Sequence, residues 1–165
     1  MQDGTDYHGI NPFGYVPMLE LDDGTRLRED PAILQYIANL VLLRNLAATA
    51  GTLPRHRLQE WLHFIGTELH KGFSPLPNLA TPGKYKFVVK ARLASRYTWL
   101  ESELADKKNL MGEHFSVADG YLFTVTNWAK PLGFETSTYP EVMAWHARVG
   151  ARPAVQEALR AESSL

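Results

Sequence analysis

The chain has 165 residues, a formal net charge of −1 and no cysteine. That length holds one domain, or one domain with part of another. Near-neutrality argues against nucleic acid as the main partner, because phosphate binding needs a basic patch and the longest run of Lys and Arg is Lys107-Lys108. Without cysteine there is no disulfide, thiolate metal site or cysteine nucleophile in this chain. Hydrophobic residues make up 45%, enough for a real core. The longest mostly apolar stretch, Ile37 to Ala48, is broken by Asn39, Arg44 and Asn45, and nothing approaches the roughly 20 residues that span a bilayer. The start, Met1-Gln2-Asp3-Gly4, is polar and has no basic region of the signal-peptide kind, so the expected setting is the cytoplasm, with no membrane partner.

The predicted elements divide the chain into residues 1–43, a linker at 44–52 and a helical remainder, 53–165. Tyr15 to Leu21 is short and mostly apolar. Asp22-Asp23-Gly24-Thr25 then gives a hairpin turn, and Arg26-Leu27-Arg28 a second strand. Asp30 followed by Pro31 reads as an N-cap and first helical position, and Ile33, Leu34, Ile37 and Leu40 continue at helical spacing. Leu58, Trp61, Leu62, Ile65 and Leu69 mark a helix over about 54–71. Pro75, Pro77 and Pro82 make 73–83 a loop. A long helix is expected over 84–106, with Phe87, Val88, Ala91, Leu93, Ala94, Tyr97, Leu100 and Leu104 as its apolar positions. The helix from Val117 to about Ala129 is apolar nearly all round and should be the buried centre. Two short helices, near 141–149 and 154–161, flank Arg152-Pro153. The fold class is α+β, predominantly helical: a hairpin plus helix, then an all-α bundle.

Three features carry chemistry. Val16-Pro17 lies between apolar strand residues, which marks either an edge strand or turn, or a cis-proline that turns the Val16 backbone outward to pair with an extended peptide. Glu29-Asp30-Pro31 opens a helix; besides capping, free N–H groups at such an end bind a carboxylate, and Glu29 can meet an ammonium beside it. Ser116 and Asp119 form a capping box, with Asp buried at the head of the central helix and a folding role. His63, Thr67 and His70 share a polar helix face, as do His56, Glu60 and His63. The second stripe permits a metal site, but His70 is two turns from His63, about 10 Å along the axis, too far to complete one, and no metal is expected.

Asn11-Pro12-Phe13-Gly14-Tyr15-Val16-Pro17, the Asp-Gly turn, Glu29 opening a helix that ends Gln35-Tyr36-Ile37-Ala38, Trp61 to Phe73, Phe115 to Phe123, and Arg152-Pro153-Ala154-Val155 together resemble the glutathione S-transferase family, in its bacterial beta class. The resemblance implies a thioredoxin-like glutathione-binding part, of which only the second half is expected here, followed by the all-α C-terminal bundle. It implies conjugation of glutathione to hydrophobic electrophilic small molecules, no tightly bound cofactor, and a homodimer. Val16, Pro17, Glu29, Asp30, His63 and His70 would bind glutathione, and Lys71, Phe73, Tyr121 and Trp128 would line the co-substrate cleft. For Trp128, core packing is the competing reading.

The family stabilises the glutathione thiolate with a Cys, Ser or Tyr early in its first domain. No residue of this chain matches it, so the catalytic residue is unknown, with His70 as possible electrostatic help. Loss of that segment is expected either as a truncation at the start site or in cloning, as natural inactivation, or as an edge completed by a partner. A non-catalytic interaction module is the alternative function. Asp30 departs from the family's Ser or Gly, and a carboxylate there predicts weaker glutathione binding unless it turns away to cap the helix.

Overall fold

Asp6 caps α1 (Tyr7–Ile10) by accepting the His8 amide at 2.9 Å, in a computed structural model that describes residue 4 and residues 6–163. Asn11 then folds the chain back. It is almost fully buried, and its Nδ2 donates to the Tyr15 carbonyl at 2.7 Å, which also receives the Tyr7 hydroxyl at 2.9 Å. Gly14 makes this turn at φ +67°, where a Cβ would meet the His8 ring at 2.6 Å. The hairpin follows: β1 (Met18–Glu20) pairs antiparallel with β2 (Arg26–Arg28) in the register Met18↔Arg28, Leu19↔Leu27, Glu20↔Arg26. Asp23 Oδ1 holds its turn by accepting the Thr25 amide at 2.8 Å.

Helix α2 (Asp30–Leu40) packs on β2 and turns Ile33 and Ala38 inward. The expected cap at Asp30 is corrected. Glu29 occupies the N-cap position at φ 69°, ψ 119°, without a side-chain cap bond, and Asp30 is the first helical residue. A 3-10 turn, Leu42–Arg44, ends in left-handed Asn45. The following segment is fixed by Arg55, which sequence reasoning passed over. Buried in α3 (Leu53–Phe64), Arg55 donates Nε to the Ala48 carbonyl at 2.6 Å and a guanidinium nitrogen to Asn39 Oδ1 at 2.6 Å. One cation thereby ties α2, the connection and α3 together.

The helix expected over 54–71 is not uniform. After α3 the backbone widens into a π segment, Ile65–His70, and closes with α4 (Lys71–Phe73). Thr67 hydrogen-bonds back to the His63 carbonyl at 2.9 Å within this stretch. The wider turn breaks the 3.6-residue register between His63 and His70. Gly72 lets α5 (Gly83–Leu104) approach; a Cβ there would sit 2.9 Å from Leu93.

The buried stripe of α5 is Val89, Leu93, Tyr97, Leu100 and Leu104. Phe87, Val88 and Ala91, expected inward, face solvent instead, with Phe87 75% exposed. One helix has one core-facing stripe, and these three lie off it. Glu68 of the π segment binds Arg92 at 3.0 Å and Arg96 at 2.7 Å, and Glu101 of α5 accepts the Glu141 and Val142 amides that open α7 (Pro140–Gly150).

Helix α6 (Val117–Asn127) is the buried centre, packed on α2, α3, the π segment and α7. Asp119, wholly buried at its head, accepts the Leu110 amide, the Ser116 amide and hydroxyl, and Trp145 Nε1, all between 2.8 and 3.1 Å. A lone buried carboxylate would be costly; four donors make this one a clamp on α6, α7 and the preceding loop. Helix α8 (Pro153–Glu162) covers the end, with Arg152 stacked 4.0 Å over Phe115. Among the described residues no helix is long and apolar enough to cross a membrane.

Candidate functional site

The hairpin register does the first piece of positioning. Pairing Met18 with Arg28 places Val16-Pro17 and Glu29 at the same end of the two strands, where α2 begins. Val16 is 75% exposed, the Val16–Pro17 peptide is cis, and among the described residues no hydrogen bond engages the Val16 N–H or C=O. Glu29 holds left-handed backbone, a conformation that costs a non-glycine residue about 1–3 kcal/mol and persists where surroundings impose it. Its side chain is exposed.

Across from this end the bundle presents His70, Tyr121 and Trp128. His70 Nδ1 lies 2.8 Å from the Tyr121 hydroxyl and 3.7 Å from Asp30 Oδ2. Trp128, the C-cap of α6, sets its ring edge-on to the imidazole at 4.7 Å. Asp30 therefore does not turn away to cap the helix; it turns into this cluster. Burial raises the Asp30 pKa, the His70 charge opposes that, and Glu29 adds to it. Burial lowers the His70 pKa against the pull of Asp30, so the ring is neutral at neutral pH. Burial, then the negative charges of Asp30 and Glu29, push the Tyr121 hydroxyl up, so it stays protonated. Lys71 reaches across the same seam to the Tyr15 ring at 4.9 Å.

Other expected site residues fall elsewhere. Phe73 is fully buried between Tyr97 and Phe134, so it belongs to the core and lines no cleft. Tyr121 is buried with its hydroxyl committed to His70, a polar role where an apolar wall was expected. His63 is exposed on α3 with Nδ1 against the Gln59 carbonyl at 2.8 Å, outside the His70 cluster, because the π segment turns the two apart. Ser116 and Asp119 stay in the bundle interior. The His56–Glu60–His63 stripe is taken up by local partners: Glu60 pairs with Arg57 and His56 with Gln59. Among the described residues no three His, Asp or Glu side chains converge as metal ligands. A groove of about 490 Å³ runs along Trp61, Phe64 and Trp99, whose rings pack at 4.6–6.0 Å, with Arg57 and Glu60 at its edge. In the sequence its tryptophans are ordinary helix-spaced apolar residues, with no sign of a groove.

A hairpin and helix set against an α-helical bundle, with titratable side chains at the seam, is an architecture for holding a small polar ligand. The glutathione S-transferase C-terminal domain matches residues 64–153. Glutathione S-transferase GstA of Escherichia coli O157:H7 is 43% identical over 162 residues, covering 98% of this chain and 81% of that protein. A sphingomonad glutathione S-transferase complexed with glutathione superposes with a TM-score of 0.94 at 40% identity, over 98% of this chain and 81% of that one. The bacterial beta-class glutathione S-transferase of Sphingomonas chungbukensis does so with a TM-score of 0.94 at 40% identity, over 99% and 82%. The chain belongs to the glutathione S-transferase family, and its fold is that family's: mostly helical, with a small two-stranded sheet and a C-terminal helical domain.

Proposed function

We propose that the chain binds glutathione at the seam between the hairpin–α2 unit and the bundle, and conjugates it to an apolar electrophile. The observation that carries this reading is the convergence of an exposed, unengaged Val16 backbone with Glu29 at one end of the hairpin, facing His70 across Asp30. Extended peptide pairs with the Val16 N–H and C=O, as in strand addition, with Pro17 shaping the turn. Glu29 meets the γ-glutamyl ammonium. Asp30 stands where the adjacent carboxylate approaches and weakens binding by about 1 kcal/mol or more relative to Ser, by like-charge repulsion. The sphingomonad relative complexed with glutathione supports the choice of ligand.

The electrophile rests against Trp128 and the stem of Lys71. His70 lends electrostatic help, and no residue of this chain is assigned to the thiolate. His63 is a rim contact. We read the hairpin–α2 unit as thioredoxin-like, residues 44–52 as the linker to the bundle, the cytoplasm as the setting, and a homodimer as the working form. The groove at Trp61, Phe64 and Trp99 supports the dimer, since charges of both signs, Arg57, Glu60, Glu103 and Lys107, surround an aromatic cluster whose Trp99 is exposed, the make-up a self-complementary interface needs.

Backbone amide shift mapping with glutathione tests the site. The expected perturbations centre on Val16, Glu29 and His70; perturbations confined to the Trp99 groove would contradict it.

A further inference from the structure

The groups around His70 dictate more than its charge. Asp30 and Glu29 face it from α2, Lys71 adjoins it on its own helix, and Tyr121 and Trp128 face it from α6. At Nδ1 both polar neighbours are oxygens: the Tyr121 hydroxyl at 2.8 Å and Asp30 Oδ2 at 3.7 Å. An ionised carboxylate only accepts. A lone pair on Nδ1 would face its negative charge, whereas a proton there is attracted to it. Tyr121 has one proton to give. With that proton turned away from the ring, the phenolic oxygen accepts from Nδ1–H while the carboxylate faces the same N–H, so both neighbours favour one direction.

We propose that Asp30 is a positioning residue whose carboxylate, beside Nδ1, fixes His70 as the Nδ1–H tautomer and leaves Nε2 as an unprotonated acceptor for a ligand proton. His70 Nδ1–H then donates to the Tyr121 oxygen at 2.8 Å and faces Asp30 Oδ2 at 3.7 Å. This arrangement deepens the glutathione reading above and rests on it only for the ligand. Asp30 then has two opposed effects: it repels a ligand carboxylate at the head of α2, and it makes His70 a better acceptor. A Ser or Gly at this position supplies no carboxylate to set the direction.

Long-range proton–nitrogen correlation of the imidazole rings tests this in the ligand-free 165-residue chain, above the pH at which His70 titrates. In the unaltered protein His70 Nδ1 should resonate as a protonated, pyrrole-like nitrogen and Nε2 as a bare, pyridine-like one. Asp30→Ala should move the population toward Nε2–H, with Tyr121 left to donate to a bare Nδ1. Asp30→Asn should move it less than Asp30→Ala, because the amide oxygen keeps a partial negative charge beside Nδ1, while the His70 titration moves to lower pH with the loss of negative charge. His146, held by Asn127 at 2.8 Å, reports in the same spectra that each variant is folded. An Nε2–H tautomer in the unaltered protein, an unchanged tautomer in Asp30→Ala, or Asp30→Asn behaving as Asp30→Ala would overturn the proposal. Glutathione added last separates the two readings: without any shift at His70 the ligand assignment fails, while the tautomer result stands.

Discussion

The two parts of the molecule are built on different terms. Before Leu58, among the described residues, the buried hydrophobic side chains are Ile33 and Ala38, and Phe13, Tyr15, Val16 and Leu40 are all more than 60% exposed. From Leu58 onward every helix through α7 contributes to one continuous core, centred on α6. The bundle carries its own stability. The hairpin–α2 unit depends on the bundle for its stability, through Arg55, the packing of α2 on α6, and the Asp30–Tyr121–His70 contact. The difference teaches where ligand chemistry is tolerated: left-handed Glu29 and an unengaged Val16 backbone sit in the thinly packed part, braced by the densely packed one.

The bundle loses most of its advantage over the hairpin–α2 unit if it loses its clamp. Asp119→Ala strands donors from Leu110, Ser116 and Trp145 in the interior, and should cost about 3–5 kcal/mol of global stability, read by urea unfolding. Arg55→Ala acts on the joint between the parts. A loss of about 2–3 kcal/mol is expected from its unpaired buried partners, with faster amide exchange in α2 than in α6. Equal acceleration in both would mean the two parts unfold as one. Gly14→Ala should cost about 1–2 kcal/mol, from forcing a side chain into left-handed backbone against His8, and should leave amide exchange in α6 unchanged.

The smallest effect is the pH dependence at the seam. The folded His70 pKa lies below its ordinary 6.5, so its contribution is present above 6.5 and is lost as pH falls from there through the lowered value. The folded Asp30 pKa lies above 3.8, so its contribution is present below 3.8 and is lost as pH rises through the raised value. Melting temperature followed across acid pH should show the first slope vanish in His70→Gln and the second in Asp30→Asn.

Much of the fold was legible because it rests on local patterning. The Asp-Gly turn, the Pro31 start, the Ser116–Asp119 box and the apolar α6 each declare themselves within a few residues. The long helix was legible in extent and misread in facing, since Phe87 and Val88 are apolar without being core, and only the packing against α7 and the π segment selects the stripe. The site was legible as separate pieces. Val16-Pro17, Glu29 and His70 each stood out, but Tyr121 reads as one more aromatic on a buried helix, and its hydroxyl gains meaning only from Asp30 and His70 meeting it in space. The π segment also defeated spacing arguments: His63 and His70 look alike on a regular helix and are parted by one widened turn. Arg55 gave no signal at all, since a charged residue near a helix start ordinarily reads as surface.

Isothermal titration of glutathione into the purified 165-residue chain, beside its Glu29→Ala variant, tests the central claim most directly. Saturable binding to the chain is expected, with its loss in Glu29→Ala at an unchanged melting temperature. No heat at millimolar glutathione, or equal affinity in the two proteins, would contradict it.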